Sequence, residues 1–238
     1  MPPEPLRVQL RQDAPIRLDV AFECAGDQTI ALVGPSGSGK STVLRCIAGL
    51  HTPRAGLVSI AGTVWLDRAA DIDLPPHRRR VGLVFQHYAL FPHLTALGNV
   101  AVALGHLPTR QRQARAMQLL AQLRVDELAR RKPAELSGGQ QQRVAIARAL
   151  AREPATLLLD EPFSAVDRPT RRLLHGELAR LRQSLNIPIV LVTHDIAEAI
   201  DLADRLVVLD AGVMLQSGPA AAVRSAPVSA RVAEILDL

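Results

Sequence analysis

The sequence predicts an α/β protein with a mainly parallel core sheet, an N-terminal antiparallel β subdomain and a helical subdomain. Short runs rich in Val, Ile and Leu stand at 29–33, 81–85, 156–159 and 189–193, with the length and composition of strands buried on both faces of a parallel sheet. Each is followed by a residue with chemistry to offer: Gly34, Gln86, Asp160 and His194. In open α/β sheets ligands bind beyond the carboxyl ends of the strands, so these groups are expected along one edge. Two glycine-rich segments, Gly34 to Ser41 (GPSGSGKS) and Leu136 to Arg143 (LSGGQQQR), each open a helix. Helix N-termini of that kind are donor-rich and positively polarised, which suits phosphate.

The remaining elements follow from local pattern. Residues 5–28 alternate in segments such as LeuArgValGlnLeu and ArgLeuAspValAlaPhe, the period of antiparallel strands, and 56–66 continue that β character. From Ser41 to Leu50 the period becomes helical: Val43, Leu44 and Ile47 share a side and Gly49 is placed to end the helix. Leu, Ala, Gln and Arg recur through 95–132 without a strand signal, which predicts a helical subdomain over about 90–135, closing near Pro133. The tail from Gly218 reads as a turn and a short helix. With 238 residues and no long linker, residues 1–238 read as one domain carrying a subdomain.

The net charge of +5 and a sequence pI near 10.2 raise the question of a nucleic-acid partner. The basic residues are spread out, apart from Arg78 to Arg80 and Arg130 to Lys132, and such short runs are usually solvated faces, so no nucleic acid is expected. Lys40 and Lys132 are the only lysines. Lys40 thus keeps a compact ammonium where a phosphate needs a point charge. Cys24 and Cys46 have no metal-like spacing and read as small core residues suited to a reducing cytoplasm. The N-terminus carries no signal-peptide or lipidation pattern, and no run approaches the roughly eighteen apolar residues of a membrane span. Any membrane work is therefore expected to pass through a partner.

Gly34, Pro35, Ser36, Gly37, Ser38, Gly39, Lys40 and Ser41, with Thr42 following, fit G-x-x-x-x-G-K-[ST]. In this motif backbone N–H groups wrap nucleotide phosphates, Lys40 reaches the outer ones and Ser41 holds Mg²⁺. Ser137 and Gln140 fit a capping box, which by itself only starts a helix. A cap does not need two successive glycines, and Gly138 and Gly139 suit close approach by a ligand. Asp160 and Glu161 end an apolar run as LeuLeuLeuAspGluPro: the first is placed to hold Mg²⁺ beside Ser41, the second to orient or deprotonate water. A histidine at a strand end, such as His194, is by itself more often structural than catalytic.

Taken together, the P-loop and the LSGGQ string resemble ATP-binding cassette (ABC) ATPases. The resemblance covers nearly the whole chain, with five motifs in the expected order. It implies that His194 contacts the γ-phosphate and steadies the water, that Gln86 links Mg²⁺ and water to a transporter contact, and that Ser164, Ala165, Val166 and Asp167 form a loop crossing to a second subunit. It further implies a head-to-tail homodimer in which Ser137, Gly138, Gly139 and Gln140 of one subunit complete the ATP site of the other. One departure stands out. The family usually stacks adenine on an aromatic roughly twenty-five positions before the P-loop lysine, yet residues 7–20 contain no Phe, Tyr or Trp.

Phe85, Tyr88 and Phe91 are half of the six aromatic residues. Their clustering suits interface anchors, with packing inside the helical subdomain as the other reading. The strings LeuProProHisArgArgArgValGly and PheGlnHisTyrAlaLeuPheProHis resemble bacterial importers, above all those for molybdate and sulfate. The resemblance implies an ATPase at the cytoplasmic face of the inner membrane, energising integral permease subunits supplied by a periplasmic or extracellular solute-binding protein, with molybdate the first expectation for cargo. The small β-barrel domain that such importers often append is not expected after Leu238. A soluble cassette switch acting on nucleic acid or the ribosome is the alternative, but such relatives carry two cassettes or a long coiled-coil insertion. Glu161 and His194 count against a non-hydrolysing assembly module.

Overall fold

A computed structural model of the chain describes residues 5–164, 166 and 168–238, with the side chains of 168–170, 172, 173, 177, 183 and 184 left aside. In chain order the strands are β1 (Leu6–Gln12), β2 (Leu18–Cys24), β3 (Thr29–Val33), β4 (Ala55–Ile60), β5 (Thr63–Asp67), β6 (Ile72–Asp73), β7 (Val81–Val84), β8 (Thr156–Asp160), β9 (Ile189–Val192), β10 (Arg205–Asp210) and β11 (Val213–Pro219). The α-helices are α1 (Lys40–Ala48), α2 (Ala96–Ala101), α3 (Thr109–Gln122), α4 (Gly138–Leu150), α5 (Arg168–Leu185), α6 (Ile196–Leu202), α7 (Ala220–Ser225) and α8 (Ala230–Ile235). The chain divides into two compact units, 1–79 with 181–238, and 80–180.

In the first unit the alternating segments form β1 and β2, an antiparallel pair in register from Leu6 opposite Cys24 to Gln12 opposite Leu18. Every second residue of both strands is buried, as a sheet with one covered face requires. Strands β4, β5 and β6 extend this antiparallel part from β1. The parallel part is β10–β3–β9, with Leu32 beside Val207 on one flank and Val192 on the other. All residues of β3 and β9 are buried, which explains their unbroken apolar runs.

Strands β10 and β11 are additions to the sequence reading. ArgLeuValValLeuAsp followed by AlaGly was the local signal for them, and the hairpin places β10 directly beside β3. Two short helices, α7 and α8, form the tail where one was expected. Both cysteines are fully buried, and burial pushes each thiol up to about 12.

Helix α1 ends at Gly49, as expected, but its last carbonyls are held by an arginine the sequence placed on a solvated face. Arg79 is 3% exposed. Its Nη1 donates to the carbonyls of Cys46 (2.8 Å) and Ile47 (2.9 Å), its Nε to Leu74 O (2.7 Å), and its Nη2 to Asp73 Oδ1 (2.8 Å). A cation at a helix C-terminus complements the macrodipole, and here it gives the Ile47 carbonyl a donor and the Cys46 carbonyl a second one beside the Gly49 N–H.

In the second unit β7 and β8 pair in parallel, with Val84 beside Leu159. Helix α4 packs on β7 and gathers α2 and α3. Between α2 and α4 the backbone is helical or tightly turned, in agreement with the helical character expected over 90–135.

Candidate functional site

In the first unit, β3 runs into the P-loop. Gly34 has φ 153°, and a Cβ there would collide with the Leu209 carbonyl of β10, so the loop leaves the sheet through a gap only glycine fits. Ser36 and Gly37 are exposed while Ser38, Gly39 and Lys40 are buried. Lys40 is 5% exposed, and its Nζ donates to Gly34 O (2.8 Å), Pro35 O (2.8 Å) and Ser38 Oγ (3.3 Å). The ammonium is thus folded against the loop that precedes it. Helix α1 begins at Gly39 in the left-handed region (φ 93°) with no side chain capping it, and Ser41 and Thr42 stand in its first turn. Such a start leaves amide donors to an anion.

Strand β9 neighbours β3 and ends at the same edge, delivering His194 beside the start of the P-loop segment in the sheet order. The turn that carries it is locally built: Asp195 N–H donates to Thr193 Oγ1 (3.1 Å), and Asp195 Oδ1 caps α6 by accepting from Glu198 N–H (3.1 Å). His194 is left exposed at the tip.

In the second unit, the ends of β7 and β8 bring Gln86 and Glu161 into contact: Gln86 Nε2 donates to Glu161 Oε2 at 2.9 Å. Asp160 is the last residue of β8 and, like Glu161, half-buried. Glu161 has φ 45°, the left-handed region that a residue with a Cβ enters at a cost. Ser164 Oγ donates to the Glu161 carbonyl (3.0 Å). Asp167 and Ala165 lie outside the described residues.

Helix α4 opens on the expected capping box. Gln140 N–H donates to Ser137 Oγ (3.4 Å) and Ser137 N–H to Gln140 Oε1 (2.9 Å). Ser137 is exposed, Gly138 half-buried and Gly139 buried.

The aromatic cluster separates. Phe85 and Phe91 are 37% and 42% exposed, whereas Tyr88 is 3% exposed and its hydroxyl donates to Pro162 O at 3.3 Å. Burial pushes the Tyr88 phenol up from its ordinary value. The sequence reading also missed Arg148, whose guanidinium reaches the carbonyls of Tyr88 and Ala89. Its only local signal was a charge inside the apolar run 144–150.

The uncapped, glycine-started helix with its buried lysine fits a triphosphate. Among the described residues no group of three or more His, Cys, Asp or Glu side chains gathers as a metal site. Mg²⁺ is usually held by one or two protein oxygens together with substrate phosphates and waters, and Ser41 and Asp160 are oxygen donors of that kind. Parallel strands ending in a P-loop, an acidic pair and a strand-end histidine define a P-loop nucleoside triphosphatase whose cofactors are ATP and Mg²⁺.

The profile of the ABC transporter family matches residues 18–164, and the chain belongs to that family. It is 48% identical over 224 residues to the sulfate/thiosulfate import ATP-binding protein CysA of Burkholderia mallei, covering 92% of this chain and 62% of that protein. To the protein of the same name in Pseudomonas aeruginosa it is 46% identical over 220 residues, covering 89% and 64%. The chain therefore spans somewhat less than two thirds of these relatives. A solved structure of the ATP-binding cassette MJ0796, dimeric and bound to ADP and Pi after hydrolysis, superposes with a TM-score of 0.72 at 32% identity, covering 92% of this chain and 99% of that one.

Proposed function

We propose that this chain is the ATP-hydrolysing subunit of an importer, energising uptake of a small oxyanion through partner permease subunits. The observation that carries the reading is the Gln86–Glu161 hydrogen bond at the ends of β7 and β8, which sets a carboxylate where water can be addressed. In the first unit, Gly34 to Thr42 hold the phosphates, with Lys40 supplying the charge, Ser41 a metal ligand and His194 a γ-phosphate contact. In the second, Asp160 and Gln86 are the further Mg²⁺ ligands, and Glu161 orients and deprotonates the attacking water. When bound, Mg²⁺ neutralises charge on the phosphates. Little covalent chemistry falls to the protein, so positioning and electrostatics supply most of the acceleration.

The dimeric state of the MJ0796 cassette supports a homodimer in which Ser137, Gly138, Gly139, Gln140 and Asp167 face the partner's nucleotide. The names of the relatives favour sulfate or thiosulfate over the molybdate expected from the motif strings. Exposed Phe85 and Phe91 support a permease contact, with a solute-binding protein delivering cargo on the far side. Among the described residues no helix is long and apolar enough to cross a membrane, in keeping with a peripheral subunit at the cytoplasmic face.

The direct test is Glu161→Gln. Phosphate release is expected to fall by about two to four orders of magnitude, the range for loss of a general base, while ATP binding persists and an ATP-dependent dimer accumulates on size exclusion. Wild-type turnover would remove Glu161 from its role.

A further inference from the structure

The loop after β7 passes twice through left-handed backbone without a glycine: Tyr88 has φ 59° and Ala89 φ 46°. Residues with a Cβ stay there only when their surroundings over-determine them. Arg148, in the last turn of α4, supplies that restraint. Its Nη1 donates to the Ala89 carbonyl and its Nη2 to the Tyr88 carbonyl, each at 2.7 Å, and its guanidinium carbon lies 5.7 Å from the centre of the Phe91 ring. A planar fork with two parallel donors suits this double grip, and an ammonium does not.

The consequence reaches Glu161 by two routes. Turning the chain at 88–89 buries the Tyr88 ring and delivers its hydroxyl to the Pro162 carbonyl. Two residues earlier the same loop sends Gln86 to the Glu161 carboxylate. Glu161 is itself in left-handed backbone, so its direction depends on what restrains residues 161 and 162.

We infer that Arg148 is a positioning residue for Glu161: by locking the Tyr88–Ala89 turn it places both the side chain that holds the carboxylate and the one that holds the following carbonyl. This rests on the reading of Glu161 as the carboxylate that acts on water. It requires no contact of Arg148 with nucleotide.

The test uses the full chain with Arg148→Lys, Tyr88→Phe and Glu161→Gln, singly and as Arg148→Lys in the Glu161→Gln background, measuring ATP affinity, kcat for phosphate release and Tm. Arg148→Lys keeps the charge and loses the fork; kcat is expected to fall about tenfold or more with ATP affinity within about twofold. Tyr88→Phe removes one hydroxyl, and a roughly fivefold fall in kcat is expected, which corresponds to about 1 kcal/mol for one neutral hydrogen bond. In the Glu161→Gln background Arg148→Lys is expected to cause no further loss of the residual rate, which a merely structural role would still lower. A kcat within twofold of wild type for Arg148→Lys overturns the inference, as does an equal loss in both backgrounds. If Arg148→Lys fails to fold, Tyr88→Phe decides alone, an unchanged kcat being the overturning result. An active Glu161→Gln protein overturns the underlying reading and this inference with it; an inactive one beside an unaffected Arg148→Lys overturns the inference alone.

Discussion

Gln86 Nε2 lies 2.9 Å from Glu161 Oε2, so the residue after one apolar strand and the second acid of the next are joined by a charge-assisted hydrogen bond. The pairing follows from register. Because Val84 sits beside Leu159 in parallel strands, chain leaving either strand emerges at the same edge, and an amide and a carboxylate seventy-five positions apart become neighbours. Gln86→Glu would face a carboxylate with a carboxylate at this distance. The hydrogen bond is replaced by repulsion, so the carboxylate loses its restraint. The kcat for phosphate release is expected to fall about tenfold or more, and a wild-type kcat counts against the contact.

Lys40 holds the P-loop from inside as well as offering its charge. Lys40→Ala removes bonds to Gly34 O, Pro35 O and Ser38 Oγ together with the phosphate contact proposed for it. Charged hydrogen bonds contribute about 1.5–3 kcal/mol, so ATP affinity is expected to fall roughly 10- to 100-fold. Titration with a fluorescent ATP analogue measures it, and tight binding by the variant would contradict the assignment.

Arg79→Met leaves the Ile47 carbonyl at the end of α1 without its side-chain donor, the Cys46 carbonyl with the Gly49 N–H in place of two donors, and Asp73 without its cation. Burial alone pushes the Arg79 guanidinium down from its ordinary value, and Asp73 acts against that shift. Asp73 is partly exposed, so the main cost is a buried carbonyl left without its donor, about 1–3 kcal/mol. For a protein of this length that corresponds to a fall in Tm of roughly 2–12 °C, measurable by calorimetry. A loss of under about 1 kcal/mol would show that the carbonyls find other donors.

The two buried thiols make stability depend on alkaline pH. Both are raised to about 12 in the fold, so above an unfolded value near pH 8.5 the unfolded chain gives up protons that the folded chain keeps. The stabilisation is complete below about pH 8.5 and is lost as pH rises towards 12. Urea unfolding midpoints are expected to fall over that window, and less so in a Cys24→Ala/Cys46→Ala protein. Iodoacetamide at pH 8 is expected to label neither thiol until the chain is unfolded; rapid labelling of the folded protein would contradict their burial.

What could be read directly from the residues was whatever local chemistry dictates. Unbroken apolar runs announced β3, β7, β8 and β9, alternation announced β1 and β2, and the glycine spacing announced the P-loop, because period, turn and cap each depend on a few consecutive residues. Even the capping box at Ser137 and Gln140 was legible in four letters. Which arginine of a basic run turns inward was not: Arg79 is buried beside exposed Arg78 and Arg80 because the end of α1, more than thirty positions earlier, needs donors. Tyr88 likewise parts from Phe85 and Phe91 in a left-handed turn whose carbonyls Arg148 holds from sixty positions further on. Tertiary structure alone also brought β10 beside β3 and Gln86 to Glu161, since strand neighbours and side-chain partners distant in sequence are set by packing across the fold, where no local pattern records them.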